Sequence, residues 1–213
     1  MNLRDSENIW VLGGFLCAVA LAAAFTLALV ADWTAGPIEK AQERNRAVML
    51  RQLRLPEFDR TGSPVRVGDR EYFAVGRAGR IVGFVGQGAN RLGYAGEIAA
   101  MVGFSPDGKI TGVQILRHKE TPGLGANVCD RKFRRTILNL FAAAPTVPDN
   151  EYLDQFGGRP ASGAGNWRIR KDGGEFIYRT GATVSSRAVT KLVNDIAAGF
   201  AGAMRDIAPR SIL

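Results

Sequence analysis

Four residues near the C-terminal end, Thr180-Gly181-Ala182-Thr183, have the types and spacing that could carry a phosphoester. Thr183 offers a hydroxyl oxygen, and Gly181 and Ala182 carry almost no side chain that would block an approach to it. A helix is predicted directly after this stretch, and the free amides and positive dipole end of a helix favour a phosphate. The alternative is an ordinary glycine turn that leads into a capped helix.

The helix that must position this hydroxyl is indicated by a pattern of apolar residues from position 187 onward. They recur at the helical spacing of three and four residues. The residues between them are polar: Arg187, Lys191, Asn194 and Asp195. We predict an amphipathic helix whose N-cap is Ser185 or Ser186, because a short hydroxyl side chain can accept from first-turn amides. Thr183 would then lie just outside the helix N-terminus.

A second stretch, Glu120-Thr121-Pro122-Gly123-Leu124-Gly125, follows a predicted strand. Its proline and two glycines predict a tight loop with exposed backbone amides, which can lie against a planar ligand. Taken alone, such a loop can equally be a simple turn. A third feature is the predicted turn Lys171-Asp172-Gly173-Gly174 ahead of the threonine stretch.

Together these motifs resemble the G subunit of the Rnf (also called Rsx) ion-translocating electron-transport complex. Thr180 to Thr183 matches the [Ser/Thr]-Gly-Ala-Thr flavinylation site of bacterial respiratory flavoproteins, and Glu120 to Gly125 reproduces the family's Glu-Thr-Pro-Gly-Leu-Gly segment. The Lys-Asp-Gly-Gly turn is a third shared feature. One departure is Ile177, at a place where many members have Asp. The related C subunit of the sodium-pumping NADH:quinone reductase is the nearest competing family.

The resemblance implies that FMN is joined through its phosphate to Thr183 by an ApbE-type flavin transferase. It also implies a set of cofactor-binding residues: Thr180, Gly181, Ala182, Thr183, Ser185, Glu120, Thr121, Pro122, Gly123, Leu124, Gly125 and Lys171. Glu120 could tune the flavin or contact Lys119. Lys171, Arg179 and Arg187 could offset the phosphodiester charge, or could be ordinary surface cations.

The implied function is electron relay. The family passes electrons between ferredoxin and NAD through several subunits that carry iron–sulfur and flavin centres, coupled to sodium or proton movement. The residues themselves indicate no nucleophile–base pair and no carboxylate dyad, so an independent catalytic site is not expected. A hypothesis from another class stays open, namely a membrane-tethered basic domain that binds lipid or a protein and carries no cofactor.

Residues 9–31 contain no charge and are long enough to cross a hydrocarbon core of about 30 Å as a helix. Trp10 and Trp33 stand at the two ends, where indole rings favour the headgroup region. We predict a retained anchor rather than a cleaved signal peptide. Local charge favours a cytoplasmic domain, because Arg4 alone precedes the helix and several Lys and Arg follow it. The resemblance instead implies the periplasmic side of the bacterial inner membrane.

The expected fold is α+β, with one transmembrane helix followed by an FMN-binding domain of antiparallel sheet flanked by helices. We divide the chain into a tail at 1–8, the transmembrane helix at 9–31, a juxtamembrane helix and linker at 32–69, and the FMN-binding domain at 70–213. Alternation and turn residues predict strands at 71–75, 81–85, 94–104, 110–116, 167–170 and 175–178. Helices are predicted at 38–53 and 130–141, and loops at 56–69 and 145–165. Four glycines are interpreted as bulges and turns: Gly83, Gly86, Gly88 and Gly93.

Charge and cysteine content exclude several functions. The formal net charge is +8, but the basic residues are scattered and aromatic residues are few, so no nucleic-acid partner is expected. No metal site is expected either, because the two cysteines, Cys17 and Cys129, have no ligand spacing. Cys129 is predicted to be a buried small residue, with a reactive thiol as the alternative. His118, the only histidine, is interpreted as a surface or hydrogen-bonded residue.

Overall fold

The structure is a computed structural model that describes residues 9–131 and 148–210 of the chain. The chain divides into two compact units, Met1–Ala47 and Val48–Leu213. Helix α1 spans Ile9–Gln52. It includes both the predicted membrane helix and the helix predicted after Pro37, as one continuous helix. The domain boundaries at residues 31 and 69 stay predictions.

Within α1, Gly13–Ala31 is the one stretch of the described residues that is long and apolar enough to span a membrane. Its 19 residues have a mean hydropathy of 2.4, and at 1.5 Å per residue they extend roughly 28 Å. The Thr26 hydroxyl donates to the Ala22 carbonyl at 2.7 Å, so this polar group is satisfied inside the helix. Large apolar side chains such as Phe25 and Leu27 are exposed, as lipid contact requires.

The second unit contains an antiparallel sheet. Its strands are β1 (Arg60–Thr61), β2 (Val65–Val67), β3 (Arg70–Arg77), β4 (Arg80–Gly93), β5 (Gly96–Phe104) and β6 (Ile110–Arg117). In the described residues the order is β1-β3-β4-β5-β6, and β2 also pairs with β3. The four predicted central strands are confirmed. The segment 56–69 is not the plain loop that we expected, because it contributes β1 and β2 to the sheet.

Short elements connect the sheet to the long C-terminal helix. In the described part of this stretch they are α2 (Ala126–Cys129), α3 (Glu151–Asp154) and two 3-10 turns at Ala161–Gly163 and Arg170–Asp172, before α4 (Thr183–Arg210). The predicted hairpin of strands at 167–170 and 175–178 is wrong, since only one isolated bridge joins Ile169 and Phe176. The helix predicted at 130–141 lies outside the described residues from position 132 onward; Asp130 itself has an extended backbone.

Helix α4 packs on one face of the sheet and forms the larger core. Phe200 stacks on Phe104 with ring centroids 4.1 Å apart and also contacts Tyr72 and Phe84. The Tyr72 hydroxyl donates to the Ile196 carbonyl at 2.9 Å. Burial raises the pKa of Tyr72 to about 12, so this hydroxyl keeps its proton and remains a donor. The aromatic cluster and this bond fix where α4 lies along the sheet.

The opposite face of the sheet is covered by the end of α1 and the residues after it. Leu50 and Leu53 are buried there, in a second core with these sheet residues: Phe73, Val75, Val85 and Met101. The Leu53 carbonyl accepts from the Thr111 hydroxyl at 2.7 Å. Both faces of β3, β4 and β5 are therefore apolar over part of their length, which explains their near-continuous hydrophobic sequences.

Two of the glycines interpreted as bulges or turns, Gly86 and Gly88, instead lie in the regularly paired part of β4, whereas Gly83 lies next to a register shift between β3 and β4. A methyl group on Gly86 would lie 2.7 Å from the Tyr72 ring and 2.8 Å from Ile196 of α4. These residues are small because the helix and neighbouring side chains approach the strand closely. Gly93 does lie at a register irregularity where β4 turns into β5, as predicted.

The Gly86→Ala substitution should lower the free energy of unfolding by about 1–3 kcal/mol, because the added methyl group overpacks the interface between β4 and α4. Gly202→Ala is the matched control: Gly202 lies in α4 with open space around it, and alanine there should stabilise by about 0.5–1 kcal/mol. Urea unfolding of the detergent-solubilised chain measures both. Equal effects of the two substitutions would contradict the close packing of α4 on β4.

Candidate functional site

Thr183 is the first residue of α4. The turn before it is closed by the Ala182 amide, which donates to the Arg179 carbonyl at 3.0 Å. Gly181 has a φ of +85°, a left-handed conformation that side-chain-bearing residues rarely adopt. The glycine of this stretch is therefore required by the turn that sets the direction in which α4 begins.

We predicted that Ser185 or Ser186 is the N-cap of this helix. That prediction is wrong, because α4 begins earlier, at Thr183. Ser186 lies inside the first turn, where its hydroxyl donates back to the Ala182 carbonyl at 2.9 Å and accepts from the Arg179 amide at 3.2 Å. Ser185 is buried and bonds to a distant residue, Glu120. Capping rules, which use only the neighbouring sequence, identified two serines near the start of the helix but did not predict their hydrogen-bond partners.

The Thr183 side chain is half-buried, and its hydroxyl has no hydrogen-bond partner among the described residues. The neighbours Thr180 and Gly181 are exposed, whereas Ala182 is buried. The first amides of a helix have no acceptor within the helix, so they remain available to an anion at this end. The arrangement combines a free hydroxyl with a backbone that can stabilise a phosphate.

The segment Glu120 to Gly125 forms the tight loop that its sequence predicts. The amides of Leu124 and Ala126 both donate to the Thr121 carbonyl, at 3.2 and 3.1 Å. Gly123 has a φ of +81°, which again requires glycine. The exposed residues of the loop are Thr121, Pro122, Gly123 and Leu124. These four can contact a ligand, while the two ends of the loop are buried.

The buried ends attach this loop to α4. The Glu120 carboxylate accepts from the Ser185 hydroxyl at 2.6 Å and from the Ala95 amide at 3.2 Å, instead of pairing with Lys119. A methyl group on Gly125 would overlap Glu120 and lie 2.6 Å from the Ser185 oxygen. Glycine is thus the residue that lets the loop lie directly on the Glu120–Ser185 pair. The loop and the start of α4, 60 positions apart in sequence, form one surface.

The turn that contains Lys171 contacts α4 through Asp172. Arg187 holds the Asp172 carboxylate with two nitrogens, each bond being 2.6 Å long. These hydrogen bonds hold the pKa of Asp172 below its ordinary value. Lys171 itself is exposed on the turn. The structure therefore places the turn against the first turns of α4, and the role of Lys171 at the cofactor stays a prediction.

Exposed apolar side chains lie beside this surface, and the sequence had not indicated them. Leu92, near the end of β4, is 51% exposed, and Tyr94 is 74% exposed in the turn between β4 and β5, where the Ala95 amide donates to Glu120. Leu124 and Val184 are exposed on the loop and next to Thr183. The strand predicted at 94–104 included Tyr94, but β5 begins at Gly96, and the Tyr94 side chain is exposed in the turn before it.

Other titratable groups near the loop are held in structural contacts. His118 contacts the Asp130 carboxylate at 2.7 Å, and its other ring nitrogen accepts from the Glu120 amide at 3.2 Å. The histidine is hydrogen-bonded, as predicted, and it fixes the start of the loop. Cys129 is buried, and burial raises the pKa of its thiol to about 12, which makes it an unreactive apolar residue.

Substituting Ser185→Ala should lower the free energy of unfolding by about 1.5–3 kcal/mol, because it removes a buried hydrogen bond to a carboxylate. A double-mutant cycle with Glu120→Gln isolates that bond, and urea unfolding measures each variant. Ser162→Ala, on an exposed 3-10 turn, is the control and should change stability by less than about 0.5 kcal/mol. A coupling near zero would show that the two side chains do not support each other.

Comparison with known proteins gives a family for this arrangement. The family model for the FMN-binding domain matches residues 93–198, which include the loop at 120–125 and the stretch at 180–183. The G subunit of an ion-translocating oxidoreductase complex from Pseudoalteromonas atlantica is 37% identical over 121 residues, 57% of this chain and 49% of that protein. This chain therefore spans about half the length of that curated relative.

Two further relatives carry the same name. The protein from Cereibacter sphaeroides is 28% identical over 203 residues, 90% of this chain and 84% of that relative. The protein from Aliivibrio fischeri is 39% identical over 103 residues, 47% of this chain and 41% of that relative. The domain match includes β5, β6, the candidate site and most of α4, and these similarities show that residues 93–198 of the chain belong to the FMN-binding domain family.

Proposed function

We propose that this protein is a membrane-anchored flavoprotein that relays electrons in an Rnf-type ion-translocating complex, with FMN esterified through its phosphate to Thr183. The observation that carries the proposal is the Thr183 hydroxyl, half-buried and without a partner among the described residues, at the first residue of α4. The loop at 120–125 is fixed beside it by the Glu120–Ser185 hydrogen bond.

The residues around Thr183 fit a phosphate-linked flavin. Small residues precede the hydroxyl, so a transferase and its substrate can approach it. The free amides of the first helical turn suit the phosphate, and the exposed side chains of Leu124 and Tyr94 offer apolar surface to a flat ring. Bound FMN supplies the one- and two-electron chemistry, while the protein positions it and sets its electrostatic surroundings.

The open position of Thr183 suits a relay better than a catalyst. The residues next to Thr183 are exposed, namely Thr180, Gly181 and Val184, and so is the loop from Thr121 to Leu124. A flavin on Thr183 would therefore lie on an accessible surface, where redox centres of other subunits can approach it. The partners that we propose are subunits of a membrane complex carrying iron–sulfur and flavin centres, with no nucleic acid involved.

Attachment by an ApbE-type flavin transferase is part of the proposal, although Ile177 replaces the family's Asp. The backbone at Ile177 is held on both sides by Gln155, whose side chain accepts from its amide at 2.7 Å and donates to its carbonyl at 3.3 Å. The chain is thus positioned ahead of Thr180 without a carboxylate at this place. We propose that the transferase recognises Thr183 and the turn directly before it, which the Ala182 amide closes.

Thr183→Ala should abolish covalent flavin. After expression with a flavin transferase, the denatured wild-type chain should fluoresce under ultraviolet light on a gel, and its intact mass should exceed that of the polypeptide by one FMN less one water. Thr61→Ala, at an exposed threonine in β1, is the control and should fluoresce like the wild type. A dark wild-type band with an unmodified mass would reject the flavoprotein and favour a cofactor-free basic binding domain.

The α1 segment at Gly13–Ala31 anchors the protein in the membrane, and we propose that the FMN domain faces the periplasm. The side of the membrane on which the domain lies can be determined by labelling a single accessible cysteine, introduced as Ser162→Cys in a Cys17→Ser background. Cys129 is buried with a pKa of about 12 and serves as the internal unreactive thiol. A membrane-impermeant maleimide should label this variant in cells with a permeabilised outer membrane. Labelling only after lysis would place the domain in the cytoplasm.

A further inference from the structure

Three cations near Thr183 in sequence could offset the charge of a phosphodiester: Lys171, Arg179 and Arg187. Their surroundings in the structure differ. Arg187 uses its Nε and Nη2 donors to bind Asp172, so its charge is already neutralised. Lys171 is exposed on a turn. Arg179, in contrast, has no carboxylate partner among the described residues, and its side chain is only partly exposed.

The guanidinium of Arg179 spans the two segments of the candidate site. Its Nη2 donates to the Gly123 carbonyl at 3.5 Å, a long bond to the tip of the loop. Its Nε is buried and has no acceptor among the described residues. A guanidinium has five N–H donors, so most of its hydrogen-bonding capacity is unused. A buried donor without an acceptor is costly, so an acceptor group bound beside Arg179 would be favourable.

Arg131 shows how another arginine with a buried Nε is paired in this chain. Arg131 also has a buried Nε without an acceptor, but its terminal nitrogens bind the Asp154 carboxylate and the Val113 and Pro148 carbonyls, each at 2.9 Å. Its charge is thereby compensated inside the protein. Arg179 has one long bond to a carbonyl instead, and no compensating charge among the residues that the structure describes.

The backbone keeps Arg179 close to Thr183. The two residues flank one tight turn, which the bond from the Ala182 amide to the Arg179 carbonyl closes. The Arg179 amide is in turn bonded to Ser186 in the first turn of α4. A phosphate on the Thr183 oxygen would therefore stand on the same turn as the uncompensated guanidinium.

We propose that Arg179 is the counter-ion of the phosphodiester on Thr183 and binds its oxygens with the terminal guanidinium nitrogens. The inference rests on the proposed attachment of FMN and adds a binding residue to it. A guanidinium matches phosphate oxygens with two parallel donors, which the point charge of lysine does not. By holding the phosphate while also bonded to Gly123, Arg179 ties the cofactor to the loop as well as to the helix.

The test compares Arg179→Gln and Arg179→Lys with the control Arg168→Gln, a substitution of an exposed arginine on the neighbouring loop. Each full-length chain is expressed with the flavin transferase and purified in detergent. Phosphorus NMR of the loaded protein observes the phosphodiester directly, and intact mass gives the loaded fraction. We expect a shifted phosphorus resonance in both Arg179 variants and about a tenfold slower loading of Arg179→Gln, as the loss of a charge-assisted bond predicts.

The outcomes separate this inference from the proposed function. Wild-type protein without flavin would overturn both. Loaded wild type with Arg179 variants that match Arg168→Gln in resonance and loading would overturn the role of Arg179 alone. If Arg179→Gln does not fold, as judged by its urea unfolding curve, Arg179→Lys decides: an unshifted resonance in that variant overturns the role, and a shifted one supports it.

Discussion

The hydrogen bond between the Glu120 carboxylate and the Ser185 hydroxyl is the contact on which the site depends. Both side chains are almost fully buried, at 5% and 1% exposure, and the oxygens are 2.6 Å apart. A buried carboxylate is tolerated only when donors surround it, and the Ala95 amide supplies a second donor. One side chain therefore joins three segments: the end of the β4–β5 hairpin, the loop that begins at Glu120, and the first turn of α4.

The packing of α4 on the sheet makes that contact possible. Phe200 and Ile196, near the middle of α4, are fixed against the sheet by stacking on Phe104 and by the bond to Tyr72. Small residues in β4 let the helix lie close to the strands. Because an α-helix is rigid over its length, fixing its middle also fixes its first turn. The position of Thr183 thus follows from a hydrophobic interface more than three turns away.

Much of this arrangement could be predicted from the sequence, and the misses have one cause. Alternating and periodic apolar residues gave the four central strands and α4, because these patterns report which face is buried. Gly86 and Gly88 of β4 and the serines of α4 were misassigned, because their contacts are with residues distant in sequence. Gly86 lies close to Ile196, and Ser185 bonds to Glu120, 65 positions away. Rules for turns and caps use only residues that are adjacent in sequence, so they cannot predict such contacts. The exposed ring of Tyr94 was missed for the same reason.

The distribution of charge connects the fold to the proposed chemistry. A net charge of +8 suggests a general anion-binding surface, but the structure uses much of its basic charge in local pairs. Arg131 is an example: burial alone would raise the pKa of Asp154, yet hydrogen bonds from Arg131 and from the Asn150 amide hold that pKa below its ordinary value. Arg187 similarly compensates Asp172. Arg179 has no carboxylate partner among the described residues, and unlike the exposed cations it has a buried Nε without an acceptor. It lies where the proposed phosphodiester would bring one negative charge. The pairing of Arg131 and Arg187 with carboxylates thus leaves Arg179 as the partly buried arginine nearest to the proposed attachment point.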